Sequence, residues 1–135
     1  MRWLTMRAGE SVLFALTEQG RVLCEVREWS GEIMESIPGG KVDPIDREVP
    51  DYQEAALKRE LNEELGVEPT EFRYIGDVWY EDEWVFHVFI VYAWNGQLPD
   101  TNRELNRPLK WVHPNDLQDN YYMKGLGKLI RKTIA

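Results

Sequence analysis

The run from Asp51 to Leu65 constrains this chain more than any other stretch, because it reads as a helix that gathers three carboxylates on one side. Asp51 is a candidate N-cap, and Glu54 three residues on would complete a capping box. Ala55, Ala56, Leu57, Lys58 and Arg59 are strong helix formers. Gly66 is the expected stop just past the last periodic residue. Leu57, Leu61 and Leu65 recur at every fourth position and predict a stripe facing a core. Glu60, Glu63 and Glu64 stand at i, i+3 and i+4, about a quarter-turn from that stripe. Like charges so placed repel one another, and no Lys or Arg follows four residues after any of them. A solvated acidic face is the ordinary reading of such a helix. A site for a hard divalent cation is the sharper one, since Mg²⁺ takes oxygen ligands and shares them with phosphates. A Gly-Gly turn preceding the helix favours the sharper reading.

These residues carry a resemblance. Arg59-Glu60-Leu61-Asn62-Glu63-Glu64-Leu65-Gly66-Val67 matches every specified position in the second half of the Nudix box, and Gly39-Gly40-Lys41-Val42-Asp43 resembles its start. The chain therefore resembles the Nudix hydrolases. In that family Arg follows the second glycine by fourteen residues; here Arg59 follows Gly40 by nineteen, so five residues are extra. They fall within Pro44–Pro50, a polar run with a proline at each end that predicts a surface loop. The box's first Glu then has two counterparts. Asp46 has the right distance from Gly40 and Asp51 from Arg59. Asp51 is preferred, because a helix fixes distance and a loop does not.

The rest of the chain predicts one domain, residues 1–135, with a mixed sheet between helices. Ser11–Leu16 and Arg21–Arg27 read as a hairpin around Gln19-Gly20, and Ile33–Ile37 as a short strand leading to the glycines. Glu71–Trp79 is a strand. Trp84–Trp94, almost wholly β-branched or aromatic, reads as a central strand. Leu109–Val112 is a short strand, and Gly125–Ile134 a terminal amphipathic helix. That agrees with the α/β/α sandwich the Nudix resemblance implies.

Bulk properties narrow the partners. At 135 residues the chain is long enough for a real core. A net charge of −8 argues against gripping a nucleic-acid polymer through its phosphates. Lys124, Lys128, Arg131 and Lys132 form the one basic run, which reads as a solvated helix face. A small polyphosphate remains a fitting partner if a metal bridges the two negative groups. The single cysteine, Cys24, excludes an internal disulfide and a cysteine zinc cluster, and reads as a small core residue. No run approaches a membrane span, and the first residues lack a signal-peptide core, so the expected location is the cytoplasm. Oligomeric state is open.

The Nudix resemblance implies Mg²⁺-dependent hydrolysis of a nucleoside diphosphate linked to another group, with Mn²⁺ a possible substitute. It implies Glu60, Glu63 and Glu64 as metal ligands, with main chain around Gly39, Gly40 and Lys41 brought to metal and substrate. Arg59 is expected to orient the carboxylates rather than touch substrate. The general base is a box glutamate such as Glu63 or Glu64, or Glu104 from a distant loop. Glu81, Asp82 and Glu83 are weaker candidates. His87 and His113 read as structural.

Val85–Leu117 is similar to the corresponding segment of MutT-like 8-oxo-dGTP diphosphatases. That similarity implies Trp111, Asp119 and Asn120 near a base, with Ser36 where such relatives carry Asn. The leading expectation is a (deoxy)nucleoside triphosphate pyrophosphohydrolase releasing a monophosphate and pyrophosphate. A hydrolase of ADP-ribose or a nucleotide sugar is the alternative within the class. A non-catalytic nucleotide-sensing module is the alternative outside it.

Overall fold

A computed structural model describes residues 9–117 and 125–134. Its strands are β1 (Gly9–Glu18), β2 (Arg21–Trp29), β3 (Glu32–Ser36), β4 (Gly39–Lys41), β5 (Glu68–Tyr80), β6 (Trp84–Asn95) and β7 (Leu109–Val112), and its helices are α1 (Tyr52–Leu65) and α2 (Leu126–Ile134). The strands form one mixed sheet in the order β3-β2-β1-β6-β5, with β4 paired to β1 and β7 to β2. The β1–β6 pairing is parallel, from Gly9↔Trp84 to Leu16↔Val91. Every other ladder is antiparallel. This is the mixed sheet between helices that the sequence predicts, an α/β/α sandwich.

Strand alternation builds the two core layers. Along β1, Val12, Phe14 and Leu16 point to the layer shared with Leu57, Leu61 and Leu65 of α1. Leu13 and Ala15 point to the opposite layer, closed by Leu126 and Ile130 of α2. β6 divides in the same way, with Phe89 and Val91 towards α1 and Val88 and Ile90 towards α2. Its apolar run is buried on both faces because a helix covers each. Cys24 lies in the α2 layer, fully buried, and burial pushes its thiol up to about 12. It is a core residue.

The expected elements are all present; four strands run longer than the sequence predicts, and each helix starts one residue later. β5 starts at Glu68, directly after the helix stop, so the connection is shorter than expected. Gly66 takes a left-handed φ of 68° and its N–H donates to the Asn62 carbonyl, closing α1. The Gly39-Gly40 run, expected as a turn, is a short strand held antiparallel to Leu13, Val12 and Ser11. Asp51 is the N-cap, but its side chain makes no cap hydrogen bond, so the expected capping box does not form.

The insertion also corrects the sequence reading. Asp46 begins a 3-10 turn and is 4% exposed, whereas Asp51 faces solvent. Asp46 Oδ2 accepts from the Asp43 N–H at 2.8 Å, and Asp46 takes Arg59 Nε at 3.0 Å and Nη2 at 2.9 Å. The structure thus pairs Asp46, rather than the preferred Asp51, with Arg59. A turn anchored by one main-chain N–H and two guanidinium contacts also fixes position. Next to it, Arg47 pairs with Glu10 on β1, and the Tyr52 hydroxyl donates to Glu10 Oε2 at 2.7 Å. His87, buried on β6, stands between Glu10 at 2.6 Å and Asp77 at 2.8 Å. Burial pushes the Glu10 carboxyl up, but bonds from His87, Tyr52 and Arg47 outweigh it and hold it below the usual range. The insertion is thus tied to the sheet on one side and to α1 on the other.

Removing a buried partner of a guanidinium should be costly, and removing a solvent-facing acid should not. Asp46→Ala is expected to lower unfolding free energy by about 3–5 kcal/mol. Asp51→Ala should change it by no more than about 0.5 kcal/mol, both read by urea denaturation.

Candidate active site

The acidic side of α1 is only partly solvated. Glu60 is 7% exposed and Glu64 2%, while Glu63 faces outward. Leu57, Leu61 and Leu65 seat the helix on the sheet, and that seating carries the adjacent row of Glu60 and Glu64 inward with it. A Cβ at Gly40 would collide with the Glu60 carboxylate, so a side chain there would push that carboxylate aside. Gly39 meets the Val12 carbonyl and Leu13 in the same way.

Arg59 supplies the counter-charge that the sequence reading sought four residues downstream. Its Nη1 donates to Glu60 Oε1 at 2.9 Å and to Glu63 Oε1 at 3.0 Å, and its Nη2 to the Lys41 carbonyl at 2.9 Å. Asp43 adds a contact at 3.4 Å. The bond from Asp46 first, then those from Glu60 and Glu63, raise Arg59 further above its usual range against the opposing effect of burial. Arg59 bonds hold Asp46 below the usual carboxylate range, again against burial. The Lys41 ammonium lies 5.5 Å from the Trp84 ring.

Glu64 is held differently. Its Oε1 accepts from Asn102 Nδ2 at 2.7 Å, and its main-chain carbonyl accepts from the Arg103 N–H at 2.7 Å. Burial pushes its carboxyl up to about 9, a hydrogen bond with Glu60 and the negative charges of Glu60 and Glu25 add to the rise, and Asn102 opposes it. Glu104, on the loop that Asn102 begins, is brought to the same cluster. Burial raises its carboxyl, and the charges of Glu60 and Glu63, with a hydrogen bond to Glu63, raise it further. Glu60 thus lies beside Gly40, with Glu64 hydrogen-bonded to Glu60 and Glu104 to Glu63. Glu81 and Asp82 form the β5–β6 turn, and Glu83 follows them.

As they stand, no three acidic or His side chains among the described residues converge as ligands of one ion would. Arg59 and Asn102 hold them in pairs. The donor set still fits a hard cation in kind: it is all oxygen, with buried carboxylates that repel one another and a glycine cradle at Gly40 that a side chain would fill.

Ser36 and Trp111 lie on the sheet face that α1 covers. Ser36 is in register with Glu25, and Trp111 with Leu23. Trp111 is half-buried and packs against the α1-side core. Ser36 Oγ and Arg27 Nε are buried and lack a hydrogen-bond partner among the described residues. Asp119 and Asn120 lie outside the described residues.

Sequence reasoning missed Glu25, Asn102 and Arg107. Glu25 is 3% exposed and takes Arg107 Nη1 at 2.9 Å on one oxygen and Asn102 Nδ2 at 3.1 Å on the other. A glutamate at an inward position of an apolar strand was the available signal.

The NUDIX domain family matches residues 6–133. No curated protein matches the chain by sequence. By structure it is similar to the E. coli ORF135 protein, with 28% identity over 83% of this chain and 78% of that one, at a TM-score of 0.67. It is similar to MutT studied from Aliivibrio salmonicida and Vibrio cholerae, with 25% identity over 93% and 95% of the two chains and a TM-score of 0.67. An ADP compounds hydrolase shares the fold at 13% identity, over 96% and 75%, with a TM-score of 0.73. No described helix is long and apolar enough to cross a membrane.

A raised carboxyl is protonated in the fold at a pH where it is ionised in the unfolded chain. The Glu64 contribution to stability is therefore full below the unfolded carboxylate range and is lost as pH rises towards about 9. Melting in EDTA from pH 5 to 9 should show a falling midpoint, and Glu64→Gln should flatten that slope. Added Mg²⁺ should raise the midpoint most at the alkaline end, since a metal needs the ionised carboxylate.

Proposed function

The chain belongs to the Nudix hydrolases, pyrophosphohydrolases of nucleoside diphosphate-linked substrates, and we propose that it hydrolyses a (deoxy)nucleoside triphosphate to a monophosphate and pyrophosphate. The observation that carries this reading is one shared sheet face. On it, Glu60, Glu63 and Glu64 of α1 stand with Glu104 of the β6–β7 loop, and two buried polar atoms, Ser36 Oγ and Arg27 Nε, have no hydrogen-bond partner among the described residues. Buried polar atoms are nearly always satisfied. A nucleotide whose base reaches β2 and β3 while its phosphates reach α1 would satisfy these, and Trp111 on β7 offers the base an aromatic neighbour.

Glu60, Glu63 and Glu64, with the main chain at Gly40, would hold the Mg²⁺. When bound, the ion would neutralise phosphate oxygens and acidify the attacking water. Mn²⁺ has the same preference for oxygen and would substitute. The chain's own part is positional. Arg59 holds Glu60 and Glu63 in place by hydrogen bonds, and Lys41 lends a carbonyl to Arg59. The water oxygen adds to a phosphorus of the α–β bridge, the bond to the bridging oxygen breaks, and the water proton passes to a carboxylate. Glu104 is the favoured acceptor: burial first, then the charges of Glu60 and Glu63, raise its carboxyl, and it stands beside the box acids. Glu63 and Glu64 are then committed to metal. Asp119 and Asn120 remain proposed base contacts by resemblance.

Purified protein with Mg²⁺ and a nucleotide panel tests this. Pyrophosphate plus monophosphate from a dNTP or NTP supports it. Cleavage of ADP-ribose to AMP and ribose phosphate instead favours the nucleotide-sugar reading, and tight binding without turnover favours the sensor. Glu63→Gln is expected to lose at least roughly 100-fold in kcat while melting near wild type, and Glu104→Gln roughly 10²–10⁴-fold if it is the base.

A further inference from the structure

Asn102 is fully buried on the loop between β6 and β7, and each of its polar atoms is committed. Its Oδ1 accepts from two consecutive main-chain N–H groups, Glu104 at 2.9 Å and Leu105 at 3.0 Å. An amide oxygen alone can accept both, so the orientation of the amide is fixed by its surroundings. Nδ2 must then face the two buried carboxylates, Glu64 Oε1 at 2.7 Å and Glu25 Oε2 at 3.1 Å. The same residue ties its loop by main chain. Its N–H donates to the Arg107 carbonyl, its carbonyl accepts from Asn106, and the flanking Thr101 and Pro108 form a bridge. The next residue, Arg103, donates its N–H to the Glu64 carbonyl.

One side chain therefore touches both halves of the site. On one side it holds a box carboxylate by a donor. On the other it caps the two amides that set where Glu104 leaves the main chain. We propose that Asn102 is a positioning residue that fixes Glu64 and the Glu104 loop relative to each other, with Glu25 and Arg107 as its buttress. This rests on Glu64 serving a metal and Glu104 serving the water, and it deepens that reading without adding a ligand. Glu25 matters because it gives Nδ2 a second acceptor. Arg107 Nη1 at 2.9 Å supplies a counter-charge that lets Glu25 stay buried.

Two substitutions separate the two roles. Asn102→Asp keeps an acceptor for the Glu104 and Leu105 amides and removes the donor facing Glu64. Asn102→Ala removes both. In metal-free protein, hydrogen exchange at the Glu104 and Leu105 amides should stay slow in Asn102→Asp and speed up at least roughly tenfold in Asn102→Ala. Mn²⁺ affinity, measured by calorimetry without substrate, should fall roughly 10–100-fold in both, the range for loss of a group orienting a metal ligand. With the best substrate, kcat should fall and nucleotide KM should change little.

Wild-type exchange rates and wild-type Mn²⁺ affinity in Asn102→Ala would overturn the proposal, and that variant is neutral enough to read even if Asn102→Asp does not fold. An effect on melting temperature alone, with Mn²⁺ affinity and kcat unchanged, would also overturn it and leave a purely structural role. These readouts stand apart from the substrate assignment. A wild type that turns over nothing in the panel sinks the proposed reaction, while exchange and Mn²⁺ binding still decide the part played by Asn102.

Discussion

Arg59 is the group without which the acidic side of α1 could not be buried. A helix that turns Glu60 and Glu64 towards the sheet brings negative charge into a place of low polarity, and each carboxylate raises the cost of the next. One guanidinium answers several at once. It reaches Glu60, Glu63 and Asp46 and the Lys41 carbonyl, so it joins α1, β4 and the insertion through a single planar group. Lysine has one charged point and could not span that set. The acidic cluster is thus built around a cation that stays in place, leaving Glu64 and Glu104 under-compensated.

The under-compensation is where function enters. Glu64 has an amide for a partner rather than a charge, and burial raises its carboxyl. A site finished by protein charges alone would have no affinity left for a divalent ion. A site with none would not pack. Here Arg59 covers the Glu60–Glu63 side and Asn102 the Glu64 side. The two supports come from distant parts of the chain, which makes the distance between them a property of the whole fold.

Much of this was legible in the sequence. The leucine stripe gave the helix its buried face, the apolar run Trp84–Trp94 gave the central strand, and the Arg-Glu box gave the carboxylates. What escaped was tertiary. Asp46 and Asp51 differ in role because one sits in a turn folded back under Arg59, and spacing along a chain does not report such a turn. Arg59 precedes the acids it serves, so a search for a following cation passes over it. Asn102 looks like any polar loop residue until the loop docks on the end of α1, seventy-seven residues from Glu25. The insertion reads as a solvated loop by composition, yet Arg47 and Tyr52 bind it to Glu10, and through Glu10 to His87.

The central claim is that this acidic edge exists to hold a divalent cation. Paramagnetic broadening by substoichiometric Mn²⁺ in the amide spectrum tests it most directly. Loss of the Gly40, Glu60, Glu63 and Glu64 resonances before any others, reversed by excess Mg²⁺, is the predicted result. Broadening centred elsewhere in the molecule, or none at these four amides, would contradict it.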